Sequence, residues 1–389
     1  MEKSMYSRNI YKGYLYNFSA YFGITSLWVI YLQHQGLSLV QVGFCESIFH
    51  LTSLLSEVPS GILADRYHYR TVLILSRLMA ILYAVIMLTA DNFLLFALGF
   101  VISAWSYNLQ SGTIDAFMYE SLAVDKKQHR YPKIISASNS IIEAANTLGI
   151  VIAGWFVHWH FEMTYWLYLI SAIVAIAALV VMIEPRRQKT GDAVDEKRLS
   201  FVSIAKSAYQ ILKKQPRLRR LMIFHAVFSA VGTTYYFYFQ SLMDAYKFGG
   251  PAISAILVIS ALLNIGGVQL TPWIQRHWKQ GKIILRLSQL LTAALIATWV
   301  NWMPILISLY LLINVLMAIV EPLFSNYYNE QIPSGQRATL LSVASMLFSI
   351  VMVICFPVIG WLVERWNFTL AFSGLGVLIL LLLIRSFRR

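Results

Sequence analysis

Charge is scarce in this chain. Asp, Glu, Lys and Arg make up 13% of its 389 residues, about half the roughly 25% that soluble globular proteins carry. So few charges cannot cover the surface of a water-soluble domain of this length. With 58% of the residues hydrophobic, the excess apolar surface has to face lipid. Cysteine is nearly absent: Cys45 and Cys355 are the two, both inside apolar runs, which excludes a disulfide framework. The eight histidines are scattered, without the dense His/Asp or Cys cluster that a membrane-embedded enzyme or a metal site needs. There is also no Gly-rich Lys-Ser/Thr loop for nucleotide phosphates. No catalytic residue, metal ligand or cofactor is therefore expected. The formal charge of +13 would suit nucleic acid on a polar chain with basic stripes. On this composition it marks one side of a bilayer, and no nucleic-acid partner is expected.

What the chain has in abundance is apolar runs of about 20 residues, the length of a helix that crosses a bilayer. Read with Gly, Pro and charge clusters as punctuation, the sequence predicts twelve: about 10–33, 38–63, 71–90, 93–120, 133–157, 163–183, 219–243, 251–273, 282–301, 303–328, 338–361 and 367–385. The polar start, Met1–Tyr11, leads straight into a full-length span, so no cleavable signal peptide is expected. With the N-terminus in the cytoplasm, 29 of the 31 Lys and Arg fall on the cytoplasmic side, leaving Lys247 and Arg365 opposite. That asymmetry predicts a multi-pass protein of the cell membrane with both termini cytoplasmic. The stretch 185–218 begins as a polar linker, then places Phe201, Ile204, Ala205, Ala208, Ile211 and Leu212 at helical spacing between lysines, as in an amphipathic helix lying on the inner membrane surface. It separates an N-terminal six-helix bundle, 1–184, from a C-terminal one, 219–389.

The two halves share features at an offset of 206 residues. Gly154-Trp155-Phe156-Val157 becomes Gly360-Trp361-Leu362-Val363, Gly61 becomes Gly267, and Asn108 and Asp115 become Asn314 and Glu321. Two parallel six-span repeats are a transporter architecture, with the substrate between the halves and access alternating by rocking.

Polar residues within the spans follow helical spacing, so each set shares one face. Span 2 carries Glu46, His50, Ser53 and Glu57; span 5 Ser136, Asn139, Glu143 and Asn146; span 7 His225, Ser229, Thr233, Tyr236 and Gln240; span 10 Tyr310, Asn314, Met317, Glu321 and Ser325. Span 1 adds Tyr14, Asn17, Tyr21 and Trp28, and span 4 adds Asn108, Ser111, Asp115 and Tyr119. Glu46 and His50, one turn apart, can hand on a proton. Glu143, mid-span without a cation beside it on its own helix, can carry a proton or bind a cationic substrate. For Glu46 and His50 the alternative is a structural hydrogen-bonded pair, and for Glu143 a hydrogen bond between helices. Asn17, Tyr21, Trp28, Asn108, Asn139, Tyr236, Gln240 and Asn314 are candidate cavity residues, and the rings among them suit flat, amphipathic or cationic solutes, or sugars. Asp115 and Glu321 lie at the depth of Arg77 and Arg286, which predicts two acid–Arg pairs with a structural or gating role, the alternative being direct contact with the substrate.

At the end of span 2 the sequence reads Gly61-Ile62-Leu63-Ala64-Asp65-Arg66-Tyr67-His68-Tyr69-Arg70. This resembles the signature G-x-x-x-D-[RK]-x-G-[RK]-[RK] between spans 2 and 3 of the major facilitator superfamily. Gly61, Asp65, Arg66 and Arg70 match; His68 replaces the second glycine and Tyr69 the next basic residue. A Cβ resists positive φ, so the loop is expected to depart from the signature's tight geometry. Glu57-Val58-Pro59-Ser60 and Ser111 to Leu122 look like a bacterial branch of drug and small-solute transporters. The resemblance spans the chain. It implies twelve helices in two six-helix pseudo-repeats, an all-α membrane protein, with Asp65 locking the cytoplasmic side through Arg66, Arg70 or a helix N-terminus of the other half, expected to be that of span 11. The span 4 Arg and the Gly-Pro pattern in span 5 of drug–proton antiporters are missing. The resulting expectation is a monomeric secondary transporter in the lipid bilayer that exports a small amphipathic or aromatic solute coupled to protons. The alternatives are uptake of a nutrient such as a sugar or organic acid, or a membrane-embedded sensor or enzyme.

Overall fold

The computed structural model describes residues 5–185, 213, 215–331 and 337–387. Among these residues there are fourteen α-helices and no strand. A helix satisfies every backbone polar group within its own segment, which hydrocarbon demands. In chain order the helices are α1 (Asn9–Ala20), α2 (Trp28–His34), α3 (Leu39–Arg66), α4 (Tyr69–Thr89), α5 (Phe93–Gln110), α6 (Thr113–Val124), α7 (Tyr131–Phe156) and α8 (Met163–Val180), followed by α9 (Pro216–Ala245), α10 (Gly250–His277), α11 (Gln280–Ala297), α12 (Met303–Gln331), α13 (Arg337–Arg365) and α14 (Phe368–Phe387). Nine described segments are long and apolar enough to cross a bilayer, and Phe368–Ile384 is a shorter apolar helix. Large side chains such as Leu262, Ile265, Leu381 and Leu382 are more than half exposed, as lipid-facing helix surfaces must be. The surface helix expected at 201–212 lies outside the described residues.

Ten of the expected spans are single helices, but spans 1 and 4 are each broken in two. In span 1, α1 gives way to a 3₁₀ turn, Gly23–Thr25, before α2 begins. The cause is a backbone-to-backbone approach: a Cβ on Gly23 would overlap Asn146, and one on Gly149 of α7 would overlap Gly23 and Ile24. In span 4, α5 ends at Gln110 and α6 starts at Thr113, after Gly112 has turned the chain through φ +71°. Nothing lies within 4 Å of a Cβ built on Gly112, so glycine is there for its left-handed backbone rather than for space.

The helices form two compact units. The first comprises Met1–Trp28 and Ile48–Ser203. Its core includes Ile10, Tyr16, Leu73, Phe117, Met118 and Leu179, and Gly13 lets α1 settle on Met118, whose Sδ would stand 2.9 Å from an added Cβ. The second comprises Val29–Ser47 and Ile204–Arg389. Thus α2 and the start of α3, N-terminal in sequence, belong by contact with the C-terminal helices. Ser47 Oγ donates to the Val353 carbonyl at 2.8 Å, Tyr238 OH donates to the carbonyls of Phe356 (2.8 Å) and Leu39 (3.4 Å), and the Leu39 and Val40 amides donate to the Glu364 carboxylate. Gly43 sits so close to Pro357 of α13 that a Cβ would come within 2.5 Å of its Cα.

The glycine contacts predict a clear contrast. Gly23→Ala or Gly149→Ala forces backbone apart and should cost about 1–3 kcal/mol, as overpacking does. Gly266→Ala, whose Cβ would meet nothing within 4 Å, should leave thermal unfolding in detergent unchanged or slightly raised.

Candidate functional site

Inside the first unit the polar residues form a lattice centred on Arg77 of α4, only 2% exposed. Its guanidinium donates to Gln110 Oε1, to Ser76 Oγ at 3.0 Å and to Ser106 Oγ at 3.4 Å, and it lies 5.7 Å from the Tyr16 ring centroid. Tyr16 OH donates to the same Gln110 oxygen at 3.2 Å. Ser76 and Ser106 each donate to the other's carbonyl, at 2.7 and 2.9 Å. These partners are neutral, which corrects the expected Arg77–Asp115 pair. The break after Gln110 interrupts the helical phase of span 4, so Gln110 at the end of α5, and not Asp115 in the first turn of α6, reaches Arg77. Gln110, Ser76, Ser106 and Tyr16 were not among the sequence candidates. Their signal is weak, because hydroxyl and amide residues are common in spans.

Three further candidates join this lattice or lie beside it. Asn17 is buried and donates to Ser138 Oγ of α7 at 2.6 Å. Asn108 accepts from Ser53 Oγ at 2.8 Å and donates to the Ser53 carbonyl and Ser56 Oγ at 2.7 and 2.8 Å, tying α5 to α3. Trp28 packs edge-on against Phe100, 5.3 Å between centroids. Tyr21 is half-buried where α1 ends, while Asn139 and Glu143 are exposed on α7. On α3, Glu46 is half-buried and His50 buried, one turn apart, with the His50 ring edge-on to Phe49.

The second acid–Arg pair is also corrected. Glu321 of α12 faces His225 of α9, Oε1 to Nε2 3.4 Å, and the other ring nitrogen of His225 is 3.0 Å from Tyr328 OH. Phe324 stacks on the imidazole at 4.5 Å. Arg286, exposed on α11, donates instead to Gln289 one turn along its own helix. The physical reason is the facing of α12: residues 321, 324 and 328 share the stripe turned to α9. Elsewhere in the same unit Tyr236 stacks with Tyr310, 5.9 Å between centroids, and Asn314 donates to the Tyr310 carbonyl at 2.8 Å. The Gln240 amide and the Tyr310 and Ser260 hydroxyls are buried, Gln240 beside the Tyr236 hydroxyl and Ser260 beside that of Tyr310.

The signature loop takes a form that histidine tolerates. His68 precedes α4 at φ −60°, ψ 138°, so no left-handed residue is required. Asp65 and Arg66 are exposed at the end of α3, as is Gly61 one turn earlier. Arg70 donates to the Met182 carbonyl at 3.3 Å. A residue the sequence pattern did not single out, Glu184, accepts from the Tyr69 and Arg70 amides at 2.8 and 3.1 Å; a carboxylate there satisfies free donors and complements the helix dipole. A second contact of this kind joins the ends of α2 and α9, where His34 Nε2 is 2.9 Å from Asp244 Oδ2. The hydrogen bond to Asp244 and its negative charge raise the His34 imidazole above its ordinary range, against a smaller opposing effect of burial.

Two outcomes follow. Gln110→Leu leaves the buried Arg77 short of its best acceptor and should cost about 1.5–3 kcal/mol, the worth of a hydrogen bond to a charged group; Asp115→Asn should cost less than about 1 kcal/mol, both read by thermal unfolding in detergent. A raised folded-state affinity of His34 for its proton stabilises the fold fully below the unfolded value of about 6.5 and is lost as pH rises through the folded value. The melting temperature of the parent should therefore fall more steeply above about pH 6.5 than that of His34→Gln.

Comparison with known proteins agrees with this architecture. The Major Facilitator Superfamily family model matches residues 13–354. An uncharacterized MFS-type transporter of Bacillus subtilis (strain 168), YxaM, is 20% identical over 377 residues, 95% of this chain and 93% of that protein. Among solved structures, the nucleoside transporter NupG superposes with a TM-score of 0.70 at 15% identity, covering 100% of this chain and 100% of that one. A D-xylose–proton symporter does so with a TM-score of 0.62 at 15% identity, covering 96% and 95%. With a family match over most of its length and helices built to cross a bilayer, the chain belongs to the major facilitator superfamily and is a multi-pass membrane transporter, not an enzyme.

Proposed function

We propose that the protein is a proton-coupled secondary transporter of a small, flat, amphipathic or aromatic solute, working by alternating access as a monomer in the cell membrane with both termini cytoplasmic. One observation carries the substrate class. In the second unit a stacked pair of rings, Tyr236 and Tyr310, adjoins the buried polar groups of Gln240 and Ser260. Stacked rings beside an amide and hydroxyls suit a solute with a flat face and its own donors and acceptors. Glu46, His50 and Glu143 are the proposed proton carriers, and Asp65, Arg66 and Arg70 the proposed cytoplasmic lock. Efflux is supported by the likeness of the span 2 and span 4 segments to the drug and small-solute branch.

A second reading, proton-coupled uptake of a nutrient such as a sugar or organic acid, has support of its own. The fold neighbours include a nucleoside transporter and a D-xylose–proton symporter, and a nucleobase is itself a flat, hydrogen-bonding group.

Reconstitution in liposomes with an imposed pH gradient, against a mixed library of nucleosides, sugars, organic acids and aromatic cations, separates the readings by the direction of flux. Gradient-driven flux of a flat solute is expected. Glu46→Gln or Glu143→Gln should abolish the response to the gradient while sparing downhill exchange. Gln240→Leu should weaken apparent affinity about tenfold, the loss of one or two hydrogen bonds. No gradient-dependent flux, with both Glu variants indistinguishable from the parent, would overturn proton coupling.

A further inference from the structure

The outer end of α14 carries two glycines with opposite surroundings. A Cβ on Gly376 would lie 2.8 Å from the Ile296 amide nitrogen and 2.9 Å from Leu295 Cβ, so this glycine seats α14 against α11. A Cβ on Gly374 would meet nothing within 4 Å. Glycine inside a helix costs about 1 kcal/mol relative to alanine, and no close packing within the protein calls for it at this position. Gly374 instead borders a groove of about 440 Å³ whose other lining residues are Ile296, Trp299, Trp366, Leu370, Ser373 and Val377. All but Ser373 are apolar.

The groove lies on a lipid-facing side of the second unit. Trp299 and Trp366 are 67% and 58% exposed, and both sit at helix ends, where amphipathic rings mark the membrane–water interface. Further along α14, Val377, Leu378 and Leu381 are exposed. Immediately before Trp366 stands Arg365, exposed at the end of α13. Its neighbour Glu364 is engaged by the amides of Leu39 and Val40. In the topology read from the sequence, Arg365 is one of just two basic residues on this membrane face, so a cation here is not part of the general cytoplasmic excess.

We propose that this groove is a phospholipid site, with one acyl chain lying between α11 and α14 against Gly374 and the headgroup phosphate meeting Arg365. A tail gains no hydrophobic free energy by leaving other tails. Retention of a particular lipid must therefore rest on the fit of the chain to the groove and on the charge-assisted contact between guanidinium and phosphodiester. The proposal depends on the membrane topology but not on the transported solute or the coupling ion.

Native mass spectrometry of the full chain, delipidated in detergent and titrated with palmitoyl-oleoyl-phosphatidylglycerol or with dioleoylglycerol, tests it. The parent should retain one phosphatidylglycerol with about tenfold higher affinity than Gly374→Leu, whose side chain fills the groove. Because leucine favours helix and enters open space, that variant should melt no lower than the parent. Val377→Trp fills the same groove from its rim and should lose the lipid equally. Arg365→Gln should lose phosphatidylglycerol preference and bind dioleoylglycerol as the parent does. Equal phosphatidylglycerol retention in the parent and both groove-filling variants overturns the site. Equal retention of the two lipids by the parent overturns the phosphate contact. A dimer that Gly374→Leu abolishes would make the groove an interface between copies and overturn the proposal as well.

Discussion

A polar group inside hydrocarbon has no water to bond to, and this constraint governs how the structure is put together. Arg77 is its most demanding case. A guanidinium buried in the first unit is held by an amide, two hydroxyls and an aromatic face, and holding it draws α1, α4 and α5 into one arrangement. Asn17 ties α1 to α7 and Asn108 ties α5 to α3 under the same rule. Each such contact trades adaptability for specificity, because a helix that moved would leave a donor stranded.

Where the constraint is relaxed, the backbone bends. Two spans are broken, each at a glycine, but for different reasons. Gly23 is required by a neighbouring backbone, whereas Gly112 is required by its own left-handed conformation. The break at Gly112 separates the residue that holds Arg77 from the acid that the linear pattern would have supplied, so a local backbone event decides the electrostatics of the unit. In the second unit the corresponding acid, Glu321, lies on an unbroken α12 and turns toward an imidazole. The two repeats thus keep their acids and differ in what those acids face.

Much of this was legible in the linear chain. The spans follow from the length of apolar runs, because each helix satisfies its backbone locally and its hydropathy is a local sum. The stripes of α9 and α12 follow from helical periodicity, which set Tyr236, Asn314 and Glu321 on definite faces. The partners across helices were not legible. Gln110, Glu184 and the His34–Asp244 contact join residues 33 to 210 positions apart, and periodicity says which way a side chain faces on its own helix without saying what stands opposite.

By itself, then, the amino-acid sequence determined that this is an all-helical membrane protein of the major facilitator superfamily, because hydropathy, charge placement and the Gly61–Arg70 signature are properties of short segments. Tertiary structure alone decided that Arg77 is held by neutral groups, that Glu321 faces His225, and that α2 and the first turns of α3 pack with the C-terminal helices. Those outcomes depend on helix breaks and interhelical distances, where a displacement of a single residue's length exchanges one partner for another.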